Sequence, residues 1–445
     1  MVEETFKELK EFFKAGNTLP LSFRINQLKK LKESIKKNEA EILEALNLDL
    51  GKSPYEAYSS EILLVYQELD YHLKHVKSWS RKKRVASSLL NFPSKNYVIS
   101  YPRGTTLILS PWNYPFLLSI SPLIGAISAG NTILLKPSEF SPNSSEIIAK
   151  ILKDIYDPTY INVLLGDATL AAKLSSLAWD KIFFTGSTAT GRKVYEAAAK
   201  NLVPVTLELG GKSPCIILND APIKESIERI FLGKFFNAGQ TCISPDHIWI
   251  SSNKKDDFIK EFNAFSEEES KKGKMCTIIN EKHEDRLQSY LQNDEKLPKY
   301  PKAYAIEDLN EHVKEEEIFG PILPVHSYES IEKLINKLQI NPSPLSFYIF
   351  TKDRKRADNI LKNLHFGGAV INDVLLQIIN NKLPFGGVGA SGIGNYHGKY
   401  SFDCFSYKRP IVYKFGWKNL SLKKLPFNSK KLKLLRKINK WLYNQ

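Results

Sequence analysis

From Gly104 to Leu135 the chain carries no charged residue. Such a run is long enough to cross a bilayer, so its placement constrains everything around it. Pro111, Pro115 and Pro122 interrupt the run, and Asn113 and Asn131 lie inside it. Proline removes a helix hydrogen bond, and an amide in lipid finds no water. The run therefore predicts a buried core segment with turns, not a membrane span. At 445 residues the chain is large enough to cover it, and its length suggests about three domains.

Downstream the pattern alternates. Thr132 to Leu135 reads as a buried strand, Ser144 to Tyr156 as a helix and Ile161 to Leu165 as a strand. Thr169 to Leu177 reads as a helix, Lys181 to Thr185 as a strand, and Gly186-Ser187 opens a helix to about Lys200. A strand follows at Val203 to Leu207. This alternation predicts a parallel, doubly wound α/β sheet. It restarts after Gly210-Gly211 with Pro214 to Leu218, Ile223 to Phe236, His247 to Ile250 and Lys254 to Phe262, which places a domain boundary near Gly210. Upstream, Glu4 to about Arg84 reads as helices; Leu21, Ile25, Leu28, Leu31 and Ile35 recur at helical spacing. Tyr97 to Tyr101 and Thr105 to Leu109 are β-rich runs around Pro102-Arg103-Gly104, a hairpin or an extended arm.

The net charge is +15, but ten lysines and arginines fall between Ile411 and Gln445 with no acidic residue among them, leaving only +5 on the body. A basic tail on an ordinary body points to a local surface device and not to a nucleic-acid binder. The four cysteines, Cys215, Cys242, Cys276 and Cys404, include no CxxC pair, which suggests neither a disulfide scaffold nor a structural zinc. No metal is expected, no signal peptide is visible, and a reducing cytoplasm fits best.

Chemistry concentrates in a few short runs. In Asn237-Ala238-Gly239-Gln240-Thr241-Cys242, a cysteine on a Gly-preceded turn can turn its sulfur and its own N–H to one pocket, as thiolate attack on a carbonyl requires. The other reading is a small buried hydrophobe. Pro111-Trp112-Asn113-Tyr114-Pro115 holds an amide that either caps the helix beginning at Pro115 or donates to an oxyanion. Lys136-Pro137-Ser138-Glu139 follows a strand end, where ribose hydroxyls could be gripped or charges simply solvated. Phe184-Thr185-Gly186-Ser187-Thr188-Ala189-Thr190-Gly191 joins strand to helix, which suits a phosphate or a plain turn. Glu208-Leu209-Gly210-Gly211-Lys212 puts a carboxylate at an apolar strand end, where its proton affinity rises toward that of a general base. Glu317-Ile318-Phe319-Gly320-Pro321 adds a carboxylate beside an aromatic ring. Pro384-Phe385-Gly386-Gly387 begins a Gly-rich loop suited to a tunnel wall.

Together and in this order, these seven motifs resemble the NAD(P)-dependent aldehyde dehydrogenases, from the first helices to about Pro410. Cys242-Ile243-Ser244-Pro245-Asp246 and Tyr396-His397-Gly398-Lys399-Tyr400-Ser401-Phe402-Asp403 resemble the class 3 branch, acting on fatty or medium-chain aldehydes. The resemblance implies an aldehyde dehydrogenase fold: a Rossmann-like cofactor domain (1–95 and 108–209), an α/β catalytic domain (210–394) and a small β oligomerisation arm (96–107 and 395–413), before a basic amphipathic tail (414–445). It implies Cys242 as nucleophile, Glu208 as base for the hydrolytic water, and the Asn113 amide with the Cys242 N–H as oxyanion donors. Trp112, Lys136, Glu139, Gly186, Ser187, Gly191, Leu209, Glu317 and Phe319 match cofactor-binding positions. The implied cofactor is NAD, with NADP as the alternative. The implied substrate is an aliphatic, terpenoid or carotenoid aldehyde, and the implied assembly a homodimer. A thioester-releasing, coenzyme A-acylating enzyme and a silent binding protein on the same fold are the competing readings. Relatives usually carry a Gly-Gly turn before the Glu317 motif; Asn293 to His312 has none, which puts a surface hairpin in doubt. In the tail, Leu432, Leu435, Ile438, Trp441 and Leu442 fall near helical spacing with lysines and arginines beside and opposite them, and Ser429 is placed to cap the helix. That pattern fits a helix lying on an anionic membrane surface, or one packed on a partner subunit.

Overall fold

The computed structural model describes residues 2–88, 91–292, 295–416 and 424–443. In chain order the strands are β1 (Lys83–Val85), β2 (Ser94–Pro102), β3 (Thr105–Leu109), β4 (Thr132–Lys136), β5 (Ile161–Val163), β6 (Lys181–Thr185) and β7 (Val205–Glu208). They continue with β8 (Pro214–Ile217), β9 (His247–Ser251), β10 (Lys302–Ala305), β11 (Ile322–Tyr328), β12 (Ser346–Phe350), β13 (Gly368–Ile371), β14 (Gly392–Ile393) and β15 (Ser406–Lys414). The chain divides into two units: Met1–Arg81 with Ser100–Tyr407, and Lys82–Ile99 with Lys408–Gln445.

The larger unit holds two six-stranded sheets. The first has the order β14-β7-β6-β3-β4-β5 and is parallel throughout its β7-to-β5 part; the second, β10-β11-β9-β8-β12-β13, is wholly parallel. Two parallel sheets separated by Gly210-Gly211 are what the restarted alternation predicts. The uncharged run becomes β3, the helix Pro115–Ala129 and β4, and every residue of that helix is buried. Pro115 enters the helix where its missing N–H costs nothing, and Gly130, at φ 94°, closes it in the left-handed region. Among the described residues no helix is long and apolar enough to cross a membrane.

One local expectation fails. Thr105–Leu109 is no hairpin partner of the preceding β run and does not belong to an arm reaching residue 107. As β3 it lies between β4 and β6, pairing in parallel with both, with all five residues buried. An all-apolar or threonine strand covered on both faces belongs inside a parallel sheet. The Gly-rich loop also returns to the first sheet, because Gly392 of β14 pairs antiparallel with Glu208 of β7. In the doubtful 293–312 segment, residues 293 and 294 lie outside the described ones. Beyond them β10 forms a parallel edge on β11.

The smaller unit contains β1, paired antiparallel with the front of β2, and most of β15. It also contains the helix Ser429–Tyr443, which spans the helically spaced residues of the tail. Its start is capped by Asn428, whose Oδ1 accepts from Lys431 N at 3.1 Å, and not by Ser429. Leu432, Leu435 and Trp441 are exposed.

Candidate active site

Cys242 stands on a loop that the backbone can form only at some cost. Asn237 and Ala238 hold φ values of 52° and 53°, in the left-handed region that side chains disfavour. Gly239 follows at φ 74°, and a Cβ there would sit 2.3 Å from the Gly320 carbonyl oxygen. Only glycine lets the cysteine loop and the Glu317-Ile318-Phe319-Gly320 segment approach this closely.

Buried hydrogen bonds stabilise the loop. Asn237 N donates to Glu56 Oε1 at 2.6 Å, and Asn237 Nδ2 to the Asn113 carbonyl at 2.7 Å. Gln240 donates to Asn237 O and Thr277 O, both at 3.0 Å. Cys242 is flanked by two tethered neighbours: Tyr114 and Thr241 share a hydroxyl hydrogen bond of 2.7 Å, and Tyr348 donates to the Ile243 carbonyl. Tethers on both sides restrict the geometry of the cysteine between them.

Cys242 opens onto a cavity of about 450 Å³ with a mainly apolar wall, including Tyr114, Leu118, Ile243, Leu375, Phe385 and Tyr396. Glu208 lies on the same wall and is 2 % exposed. Neither carboxylate oxygen of Glu208 has a hydrogen-bond partner. Burial pushes its proton affinity well above the ordinary carboxylate range, Cys404 adds to the rise, and Lys181 opposes it. Burial likewise pushes the Cys242 thiol up, and the Glu317 and Glu208 carboxylates add to that.

Asn113 is 4 % exposed and does not cap the helix at Pro115; Tyr114 holds that position without a side-chain hydrogen bond. Its Nδ2 donates to the Gln240 carbonyl, two residues before Cys242, at 3.0 Å. The helix N-terminus is satisfied instead by Glu61, whose Oε2 accepts from Phe116 N and Leu117 N at 2.9 and 3.0 Å. The other oxygen of Glu61 accepts from Lys52 Nζ at 2.5 Å, a pair with both side chains 0 % exposed. Lys52 also donates to the Asn113 carbonyl at 3.3 Å and lies 4.0 Å from the centre of the Tyr114 ring. Lys52, Glu56 and Glu61 escape sequence reasoning because the backbone groups they hold, at Asn113, Phe116, Leu117 and Asn237, stand far along the chain. Their only trace is charge within otherwise helical or turn-forming runs.

The remaining expected residues fall into three groups. At the end of β4, Lys136 is buried and its Nζ donates to Glu139 at 2.5 Å. At the end of β6, Ser187 caps the helix Thr188–Ala199, accepting from Thr190 N at 3.3 Å. Thr185 Oγ1, beside it, is buried without a partner. Gly186 N donates to the Glu208 carbonyl at 3.0 Å. Gly191 is a packing position, where a Cβ would sit 2.5 Å from Leu209 Cδ2. Leu209 itself lines the cavity.

The third group surrounds Phe319, whose φ is 49°. Its ring meets Trp112 edge-on, with centroids 5.5 Å apart. Asp246 Oδ1 accepts from Ile318 N at 2.7 Å and its Oδ2 pairs with Lys212 at 2.8 Å, which links the cysteine loop to this segment. Glu317 is pushed up to about 8, by burial first and by Asp246 second. A Cβ on Gly210 would lie 2.1 Å from Glu317 Oε2, so the paired glycines make the seat for that carboxylate. The class 3 run Tyr396 to Asp403 is anchored from below: Glu68 Oε1 accepts from Gly398 N at 2.7 Å and from Ser401 Oγ at 3.2 Å.

A cysteine and a partnerless buried carboxylate on one apolar wall, beside two sheets of mostly parallel strands, narrow the field sharply. The family model for the aldehyde dehydrogenase family matches residues 1–297 and 306–411. The chain belongs to the aldehyde dehydrogenase family. It is 44% identical to the 4,4'-diaponeurosporen-aldehyde dehydrogenase of Staphylococcus aureus, over 93% of this chain and 94% of that protein. It is 39% identical to aldehyde dehydrogenase family 3 member A2 of Rattus norvegicus, over 99% and 95%. Among solved structures, the substrate-bound state of Staphylococcus aureus AldH superposes with a TM-score of 0.92 at 40% identity, covering 99% of both chains. An NAD+ complex of an aldehyde dehydrogenase from Bacillus cereus superposes at 0.83, with 25% identity and coverage of 93% and 89%. Family 3 is thus the branch this enzyme resembles, as its cysteine and Tyr396 motifs imply.

Proposed function

We propose that this enzyme oxidises a medium- or long-chain aliphatic or carotenoid aldehyde to its carboxylic acid, with NAD(P)+ as cofactor. One observation carries the reading: Cys242 and Glu208 share an apolar cavity wall, and no protein group occupies the Glu208 oxygens. The apolar wall suits a hydrocarbon chain, as does the polyene aldehyde in the name of the staphylococcal relative.

The residues divide the work. Cys242 loses its proton as it attacks the carbonyl carbon, and we assign that proton to Glu208 on the same cavity wall. The Cys242 N–H and the second N–H of the Asn113 amide donate to the alkoxide oxygen. The nicotinamide, when bound, accepts the hydride from the former aldehyde carbon. A thioester on Cys242 remains. Glu208 passes that first proton to solvent and then draws one from water, the hydroxide attacks the thioester carbonyl, and the acid leaves as Glu208 returns the proton to the Cys242 sulfur. The family's thioester-releasing branch would have no use for a base here, and the presence of Glu208 opposes it.

The residues fit the cofactor. Lys136 and Glu139 would hold the adenosine ribose, with Glu139 disfavouring a 2′-phosphate and so favouring NAD. The helix start at Ser187, next to the orphaned Thr185 hydroxyl, would hold the pyrophosphate, with Gly186 and Gly191 keeping the turn and helix close. Glu317 would take the nicotinamide ribose, and Phe319, Trp112 and Leu209 the ring. We assign the first sheet with its helices, β3 and the β14 edge included, to cofactor binding, the second sheet to catalysis, and the exposed β15 edge to pairing of two copies. The tail helix, with Leu432 and Trp441 exposed beside six basic residues, we assign to an anionic membrane surface.

The test is NADH formation with a series of aldehydes of increasing chain length. Wild type should favour the longer chains, and Cys242→Ala should bind NAD+ but form no NADH. Substantial turnover by Cys242→Ala would remove the cysteine from the mechanism.

A further inference from the structure

Beneath Glu208 lies a buried cation that the steps above do not use. Lys181 opens β6 and is 3 % exposed. Its ammonium donates to Thr206 Oγ1 of β7 at 2.6 Å. The β6–β7 register sets Phe183 beside Thr206 and Thr185 beside Glu208. Lys181 therefore reaches forward along the strands to meet Thr206. Thr206 and Glu208 are two residues apart on one strand, so their side chains leave the same face, about 7 Å apart along it.

The groups facing this lysine come from several elements. Cys404, at the end of the helix Lys399–Cys404, places its sulfur 3.2 Å from Thr206 Oγ1. Arg103, in the turn before β3, donates to the Cys404 carbonyl at 3.0 Å. Tyr396 lies on the cavity wall with Glu208.

A carboxylate buried without a hydrogen bond stays protonated, yet a base must ionise to act. A direct ion pair would let it ionise but would occupy the lone pairs that water must meet. We propose that Lys181, anchored by Thr206, is the positioning charge that lets Glu208 ionise in the apolar cavity while leaving both its oxygens open to water. This rests on Glu208 being the base for thioester hydrolysis. Burial shifts each group toward its neutral form, and the charge of each opposes the shift of the other. A unit charge one two-residue strand repeat (~7 Å) from a carboxyl, in an effective dielectric of ~20, moves it by about 1–2 pH units.

The test needs no cofactor. The full-length enzyme is acylated at Cys242 with an activated nitrophenyl ester, and decay of the acyl-enzyme is followed by mass spectrometry across pH. Lys181→Met should move the acid limb of the decay rate up by about 1–2 pH units, and Lys181→Arg should return it toward wild type. Thr206→Val, which keeps the lysine but removes its anchor, should move the limb the same way by less, and is decisive if Lys181→Met does not fold. Coincident limbs in wild type and the folded variants, with Glu208→Gln still slow to deacylate, would overturn the role of Lys181. Glu208→Gln decaying at the wild-type rate would instead overturn the assignment of the base.

Discussion

Replacing Lys52 with methionine isolates the support beneath the site. The substitution keeps most of the length of the side chain and removes its charge. Glu61 then remains 0 % exposed with no counter-ion. Breaking a buried pair from one side costs about 3–5 kcal/mol, because the remaining charge is stranded. Here the loss is partly offset. Glu61 keeps two N–H donors at the start of the helix Pro115–Ala129, where the dipole favours an anion by up to ~1 kcal/mol. The expected net loss is therefore about 2–4 kcal/mol, roughly two powers of ten in an equilibrium constant. Lys52→Met with Glu61→Gln should recover at least half, since the glutamine still accepts from the helix but brings no charge. Guanidinium unfolding followed by tryptophan fluorescence measures both. Turnover should fall as well, because the Asn113 carbonyl loses its Lys52 donor. A single variant within ~1 kcal/mol of wild type, or a double variant no better than the single, would refute the argument.

Other outcomes follow from the same geometry. Glu208 is held above the ordinary carboxylate range by burial, so its basic form gains as pH rises. Hydrolysis of the thioester should climb through a limb above that range, and Glu208→Gln should show a burst of NADH followed by slow turnover in rapid mixing; a variant without that slow phase counts against the base. Gly210→Ala forces a Cβ onto the Glu317 carboxylate. Loss of a charge-assisted hydrogen bond to the cofactor, about 1.5–3 kcal/mol, should raise the KM for NAD+ by ten-fold or more; calorimetry showing unchanged NAD+ affinity would dissociate Glu317 from the cofactor. Full-length protein should sediment with anionic liposomes in a salt-sensitive manner, at ~1 kcal/mol per basic residue near the surface, and truncation after Pro410 should abolish this; protein left in the supernatant at low salt would point the tail toward assembly.

Much of this protein was decided locally and is legible in its sequence. The period of the apolar residues sets the alternating strands and helices, and an uncharged, proline-broken run can only be a core. Cys242, Glu208 and Asn113 stand out because reactive or polar side chains beside Gly, Pro and apolar residues are rare enough to mark a site. What tertiary structure alone decided is pairing across distance. Thr105–Leu109 is as β-rich in a hairpin as in a sheet centre, and only its neighbours β4 and β6 determine which. Asn113 offers the same amide to a helix cap or to Gln240, and the fold selects Gln240. Lys52 with Glu61, Glu56 with Asn237, and Lys181 with Thr206 are ordinary polar residues in sequence. They acquire meaning only when the packed chain removes water and leaves each one a single place to direct its charge or its hydrogen bond.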